Sequence, residues 1–466
     1  MKIKILIVLL AIPCLFTSCF EDMDDNIRAA SSSEIQDFIY RGLNYYYLYK
    51  ADTPELANDA FADDEQLKNF LNGYDSPESL FDYLKSPQDR FSRLFPDYTV
   101  IENALAGVSL SNGMEFGLVY YPDNSGNVFG YVRYVLPNTD AAANGLQRGD
   151  LFTSVDGVQI TENNYNDLLS RDSYTIELAT FNGESFELTG SSALLNKTQY
   201  DENPVYISRT LEINGQKIGY LMYNSFVKRY DIELNNAFAQ FKADGITDLV
   251  LDLRYNGGGA VETATDLASM ITGQFKGEVF YKEFWNADRQ EERARDGLFD
   301  NSISNNSAIN SLNLNRVYIL TTSSSASASE LVINGLDPYI NTVQVGDTTT
   351  GKFQASFLMY DAPAPAFSRD QASPAHTYAM LPLVFKTANK VGHTDFVDGL
   401  FPEITLKEDF FNLGQLGDIE EPLLSAALND ILGLPRHSHK NLLQLKEVSN
   451  SQITSPVDGV MIVEQE

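Results

Sequence analysis

The run TTSSSASASE, residues 321–330, places five serines in ten residues between two apolar segments, RVYIL before it and ELVINGL after it. The first reads as a strand and ASELVINGL as the helix that follows, so the hydroxyls fall at a strand-to-helix junction. In an α/β sheet the carboxyl ends of strands make ligand crevices. The first turn of a helix also offers partial positive charge to a developing alkoxide or oxyanion. A free serine hydroxyl is a poor nucleophile at neutral pH and needs a base. The four histidines, His376, His393, His437 and His439, have no triad-like neighbourhood, and both cysteines precede residue 20. Lys352, in TVQVGDTTTGKFQAS, offers an alternative base. Burial among threonines and apolar groups can bring a lysine from about 10.4 to roughly 7 or 8, where a neutral fraction accepts a proton.

The surrounding pattern supplies the elements that must position these groups. From about residue 200, KIGYLMY, DIELNNAFAQFKADG, ITDLVLDLR, ATDLASMIT, RVYILTT, ELVINGL and TVQVGD alternate strand with helix, which predicts an α/β layer with buried strands. Residues 31–102 read as a small helical domain. SSSEIQDFIYRGLNYYYLY has Ser33 three before Gln36 as a capping signal and apolar groups at helical spacing. SPESLFDYL has Ser76 as cap and Pro77 at the first helical position. The tyrosines at 45–47 are expected in its core. Between 103 and 195 short β runs are separated by Gly, Asn and Asp, with a turn at Asp156-Gly157. Residues 437–466 form a weakly patterned tail.

Two stretches carry resemblances to known families. LPNTDAAANGLQRGDLFTSVDGVQI resembles the central part of a PDZ domain, through Pro137, Ala141, Gly145, Leu146, Gly149, Asp150, Val155, Asp156 and Gly157. That resemblance implies a sheet edge that captures peptide carboxyl ends beside Phe116, Gly117 and Leu118. SASASE followed by GK resembles the carboxyl-terminal processing peptidases, or tail-specific proteases, a family of Ser-Lys serine endopeptidases, and LVLDLRYNGGG resembles their oxyanion strand and turn. The resemblance implies Ser327 as nucleophile and Lys352, 25 positions later, as base. It also implies that the amides of Gly258 and Ala328 bind the oxyanion. The family usually has glutamine four residues after the lysine; here that slot is Ser356, and the glutamine is Gln354. On one strand both would share a face with Lys352, and Gln354 is favoured for its reach. The implied fold is multidomain: helical, PDZ-like, then an α/β catalytic domain of the ClpP/crotonase-like kind over residues 196–436. The implied activity needs no cofactor and acts on polypeptides, with carboxyl-terminal tails as the substrate.

The charge balance, 33 Lys+Arg against 64 Asp+Glu for a net of −31, excludes nucleic acid and anionic membrane surfaces as partners. MKIKILIVLLAIPCLFTSC has two lysines, an apolar run short for a membrane span and a terminal cysteine, the grammar of an export signal over residues 1–19. LFTSC resembles a bacterial lipobox, with Cys19 as the lipidated residue and 20–30 as an acidic tether. The expectation is an exported lipoprotein of the cell envelope, joined to the membrane through that lipid. GDTTTGKF differs from a Walker A loop by Phe353 in place of Ser or Thr, and FQASFLMY alternates like a strand where a phosphate loop needs a helix. No metal-ligand spacing is present. The competing reading is a non-catalytic, exported peptide-binding lipoprotein on a peptidase scaffold.

Overall fold

Helix formation begins where the sequence supplies a cap. Ser31 opens α1 (Ser32–Tyr46): the Glu34 amide donates to its hydroxyl, and its own amide donates to the Glu34 carboxylate. The capping box therefore sits two residues before the expected Ser33, since the charged Glu34 suits a helix N-terminus better than Gln36. Two further helices, α2 (Asp64–Leu71) and α3 (Pro77–Leu84), complete the unit, the latter with the expected Ser76 cap and Pro77. The computed structural model describes residues 28–123, 125–435, 443 and 445–464. The expectations for Cys19 and for His437 and His439 lie outside the described residues.

The helical unit has no core of its own. Tyr46 and Tyr47 are fully buried, and Phe38 and Leu43 share one apolar cluster with Leu331, Phe357 and Phe385 some 300 residues away. The Tyr46 ring meets Phe357 edge-on at 4.9 Å. These helices are thus a layer of the α/β unit. A fourth helix, α4 (Tyr98–Leu105), runs across the boundary expected at 102/103.

A two-stranded stem, Val108–Ser111 paired antiparallel with Thr198–Asp201, carries the next unit out and back. Its strands are β1 (Met114–Tyr120), β2 (Val128–Val135), β3 (Leu151–Val155), β4 (Val158–Gln159), β5 (Ser173–Phe181) and β6 (Phe186–Asn196). Asp156 and Gly157 both adopt positive φ, which is what a two-residue turn between β3 and β4 requires. Helices α5 (Asp140–Ala143) and α6 (Tyr165–Leu169) belong to the same unit. Its core gathers Phe116, Leu118, Val132, Phe152 and Leu195.

The two larger sheets of the α/β unit are built, in chain order, from β7 (Val205–Ile213), β8 (Gln216–Tyr223), β9 (Asp248–Asp252), β10 (Gly259–Ala260), β11 (Val279–Trp285) and β12 (Asp296–Leu298). There follow β13 (Arg316–Thr321), β14 (Asn341–Gly346), β15 (Gln354–Ser356), β16 (Leu383–Ala388) and β17 (Ile404–Thr405), then β18 (Glu447–Asn450) and β19 (Met461–Ile462). One sheet has the order β7-β8-β9-β13-β14-β17, parallel from β8 onward with β7 antiparallel at its edge. Its strands alternate between two cores. Leu249, Leu251, Val317 and Ile319 face the layer holding α7 (Asp231–Asp244), α8 (Val261–Ile271) and α9 (Ala328–Leu336). Val250, Tyr318 and Leu320 face α10 (Pro422–Ile431). The second sheet runs β10-β19-β15-β16-β11-β12.

The tail departs from its sequence reading. β18 adds to the edge of the β-rich unit, antiparallel to β1, and β19 lies between β10 and β15 in the second sheet. Among the described residues no helix is long and apolar enough to cross a membrane.

Candidate active site

Ser327 closes the turn that follows β13 and stands immediately before α9, with φ +64° and ψ −114°. A non-glycine residue there is strained and must be held by its surroundings. The holding group is Glu330, fully buried, whose Oε2 accepts from the Ser327 amide at 2.8 Å. The same oxygen accepts from the Lys352 amide at 2.8 Å. The other oxygen takes the Thr349 hydroxyl at 2.6 Å and the Gly351 amide at 2.7 Å. One carboxylate thus ties the serine turn to the lysine turn, filling its acceptor sites with three amides and a hydroxyl.

The Lys352 side chain is buried, its Nζ 5.1 Å from the centre of the Phe91 ring. Burial first, and the neighbouring Arg93 guanidinium second, bring this amine down to about 7, against the opposing pull of Asp89, Asp458 and Glu330. Phe91 arrives from the helical unit. Tyr47 donates to Asp89 at 2.7 Å, and Asp89 accepts from the Phe91 and Ser92 amides at 2.9 and 2.8 Å, which fixes the loop over the lysine. Arg90 closes it by donating to the Gly351 carbonyl at 2.9 Å. The packing of Tyr47 and residues 89–93 therefore supplies the dry surroundings that a neutral lysine needs.

Gln354 and Ser356 are also buried, on β15. The Gln354 amide nitrogen donates to the Tyr49 hydroxyl at 2.7 Å, while its carbonyl oxygen and the Ser356 hydroxyl have no partner among the described residues. Either remains available to the amine.

Gly258 lies directly against the nucleophile. A Cβ at this position would come within 2.7 Å of the Ser327 Cβ and 2.8 Å of its Oγ, and φ is +114°, so only glycine fits. Its amide donates at 2.9 Å to the side-chain oxygen of Asn256, and Ala328 opens α9 on the other side of the serine. The Ser327 hydroxyl itself is fully buried and has no hydrogen-bond partner among the described residues, so it is not bonded to Lys352 in this form.

The structure therefore sets Gly258 and Ala328 beside Ser327 and joins the Lys352 turn to the serine turn through Glu330, with Gln354 at the start of β15 two residues after the lysine. Phe116, Gly117 and Leu118 lie apart, on β1, between β2 and β18. Phe116 and Leu118 border a cavity of about 630 Å³ that also reaches Gly257 and Gly258. Sequence reasoning missed Glu330, Tyr49, Phe91, Arg93 and Asn256. Of these only Glu330 and Asn256 had a signal, as letters of the quoted motifs.

Residues 217–360 match peptidase family S41, and residues 34–93 match the peptidase S41 N-terminal domain. Two separate stretches of this chain thus match models of peptidase family S41. The S41 match spans Gly258, Ser327, Ala328, Glu330, Lys352 and Gln354, and the N-terminal match ends at Arg93, beside Lys352. The carboxyl-terminal-processing protease of a Picosynechococcus species is 26% identical over 225 residues, covering 47% of this chain and 49% of that protein. The chloroplastic C-terminal processing peptidase of Tetradesmus obliquus is 25% identical over 294 residues, covering 60% of this chain and 59% of its own. The chain thus spans about half the length of the curated relatives it matches. A Bacteroides fragilis protein designated an S41 protease has a crystal structure with a TM-score of 0.64 at 26% identity, covering 85% of this chain and 97% of that one. The photosystem II D1 C-terminal processing protease shares the fold at a TM-score of 0.51 and 19% identity, covering 85% of this chain and 99% of its own.

Proposed function

We propose that this S41 chain is a serine endopeptidase that cuts polypeptides through an acyl-enzyme on Ser327, with Lys352 as general base. The observation that carries this reading is the pair of backbone amides, of residues 327 and 352, on a single Glu330 oxygen beside an amine brought to about 7. Neutral Lys352 takes the hydroxyl proton as Oγ bonds to the scissile carbonyl carbon. The tetrahedral oxyanion is held by the amides of Ala328 and Gly258, the latter released from Asn256. Collapse breaks the C–N bond, the lysine returns its proton to the leaving amine, and water then hydrolyses the ester. The β-rich unit is the PDZ-like reader of substrate tails, with Phe116 to Leu118 as the capturing edge. Two relatives named for carboxyl-terminal processing support that substrate class. Lipid on Cys19 holds the enzyme at the cell envelope.

The test is cleavage of an unfolded, carboxyl-terminally tailed polypeptide, with new termini read by mass spectrometry and rates followed between about pH 5 and 9. Because the base must be neutral, kcat/KM rises with pH through about 7 and falls about tenfold per unit below it. A profile that is flat across this range, or no new termini from either the full chain or the chain with residues beyond 444 released, sinks the reading.

Gln354 is the residue that orients the lysine. Its nitrogen is anchored on Tyr49 and its free oxygen is an acceptor for the ammonium. Gln354→Ala lowers kcat about tenfold or more and moves the pH midpoint, whereas Ser356→Ala leaves both within about twofold. The reverse ranking assigns the role to Ser356.

A further inference from the structure

The slot between β10 and β15 is occupied by the chain itself. The Gly259 amide donates to the Val460 carbonyl at 2.7 Å, and the Val463 amide donates to the Ser356 carbonyl at 2.9 Å. β19 pairs in parallel with both neighbours, Met461 beside Gly259 and Ile462 beside Ser356. The Val460 oxygen lies 2.7 Å from the point where a Gly258 Cβ would sit, and the Ser327 Oγ lies 2.8 Å from that same point. The main chain thus leaves a turn over residues 456–459, passes the nucleophile at Val460 with a carbonyl turned toward the oxyanion turn, and enters β19. Val460 and Met461 are buried, and the serine beside them has no exposure to solvent.

The same segment fills the other recognition surface. β18 is paired antiparallel with β1, Ser449 beside Leu118 and Asn450 beside Gly117, and the Phe116 amide donates to the Ser451 hydroxyl at 3.2 Å. This is how a peptide adds to a sheet edge. The fit is electrostatic as well. Arg133, 2% exposed, pairs with Glu447 of the tail. Arg93 donates to the carbonyls of Ser455, Pro456 and Asp458 at 2.6–3.0 Å. At the far end Lys228 pairs with Glu464 at 2.7 Å. A buried arginine whose carboxylate belongs to the tail is a docking point built into the fold, because its charge is costly without that partner.

We propose that residues 447–464 are a tethered peptide ligand of this enzyme, occupying the tail-reading edge and the catalytic slot together and competing in cis with substrate. The proposal rests on the peptidase reading for its effect on rate, though not for its binding. It also defines the polypeptide the slot takes: a short strand entered through a turn, with an apolar, β-branched residue at the nucleophile, glycine of positive φ before it and an acidic residue before that, as in Asp458-Gly459-Val460. In this form the Gly258 amide is turned to Asn256 and the dyad is unbonded, so the segment sits uncut.

The experiment uses a chain with a protease site inserted within 436–442, folded, cut and washed free of its tail, so that folding precedes release. The probe is a labelled synthetic peptide of residues 445–464. Cutting and washing raises kcat/KM at least about tenfold, since a tether supplies about millimolar local ligand. The added peptide reverses this by raising KM with kcat unchanged. Glu447→Lys in the uncut chain also raises activity by setting like charge against Arg133. Binding is measured separately on the cut chain carrying Ser327→Ala, where the peptide must bind and be displaced by an unfolded polypeptide. No binding, or binding without competition, overturns the proposal. Binding and competition in a chain whose every form fails to cleave supports the tethered ligand and removes the peptidase reading.

Discussion

Ser327→Ala and Lys352→Ala each reduce kcat by about 10⁴-fold or more, and the double variant is no worse than either alone, because the two act as one unit. The argument is chemical. Without the hydroxyl there is no ester to form, and without a neutral amine the hydroxyl keeps its proton. Lys352→Arg is equally inactive despite its retained charge, since a guanidinium does not give up a proton in a protein. The measurement is single-turnover cleavage of an unfolded polypeptide by the tail-released chain, with far-ultraviolet circular dichroism to show that each variant is folded. A loss of only about tenfold in either variant means that the chemistry lies elsewhere.

The second large effect is on stability. Arg254, with no solvent exposure, donates to Asp252 at 2.9 Å, to both oxygens of Glu421 at 2.6 and 3.0 Å, and to Glu408 at 3.2 Å. Arg148 and Tyr255 complete the network, each 2.7 Å from Glu408. Glu421 also caps α10 by accepting from the Leu424 amide at 2.8 Å. Arg254→Ala leaves three buried carboxylates short of a cation and costs about 3–5 kcal/mol, read as a lower urea midpoint. Burial alone would raise Glu408, but Arg148 and then Arg254 outweigh it and hold this carboxyl at about 2. A depressed carboxyl stabilises the fold above its unfolded value and loses that contribution as pH falls from about 4.5 toward 2. The wild-type chain therefore shows an acid transition there that Glu408→Gln flattens. An Arg254→Ala midpoint equal to wild type removes the network from the account of stability.

The local steps of the fold were legible. ASELVINGL is α9 residue for residue, Ser76 and Pro77 open α3, and the Asp156-Gly157 turn joins two strands, each governed by neighbours in the chain. Motif and spacing singled out Ser327, Lys352 and Gly258, and the fold sets Gly258 against Ser327 and ties the serine and lysine turns to one carboxylate. What the sequence hid was long-range. Phe91 and Arg93 reach Lys352 only because α1 shares a core with residues more than 300 positions away, and no local period encodes that contact. β18 and β19 have four and two residues, too short to show alternation, and gain their order from the edges they join. Glu330 was visible as a motif letter, but its bond to the lysine turn exists only in the folded chain.

The two-stranded stem has a consequence for how such a protein diversifies. Chain departure at residue 107 and return at residue 202 are adjacent, the Glu202 amide donating to the Gly107 carbonyl at 3.3 Å. The intervening unit is thus joined through one covalent stem, and Arg148 fastens it a second time to Glu408 and Tyr255. Insertions within its own hairpins leave the stem in place, whereas removing it takes Arg148 from Glu408 and Tyr255, so a change of reader must preserve that one arginine contact to keep the strand end before the oxyanion turn supported.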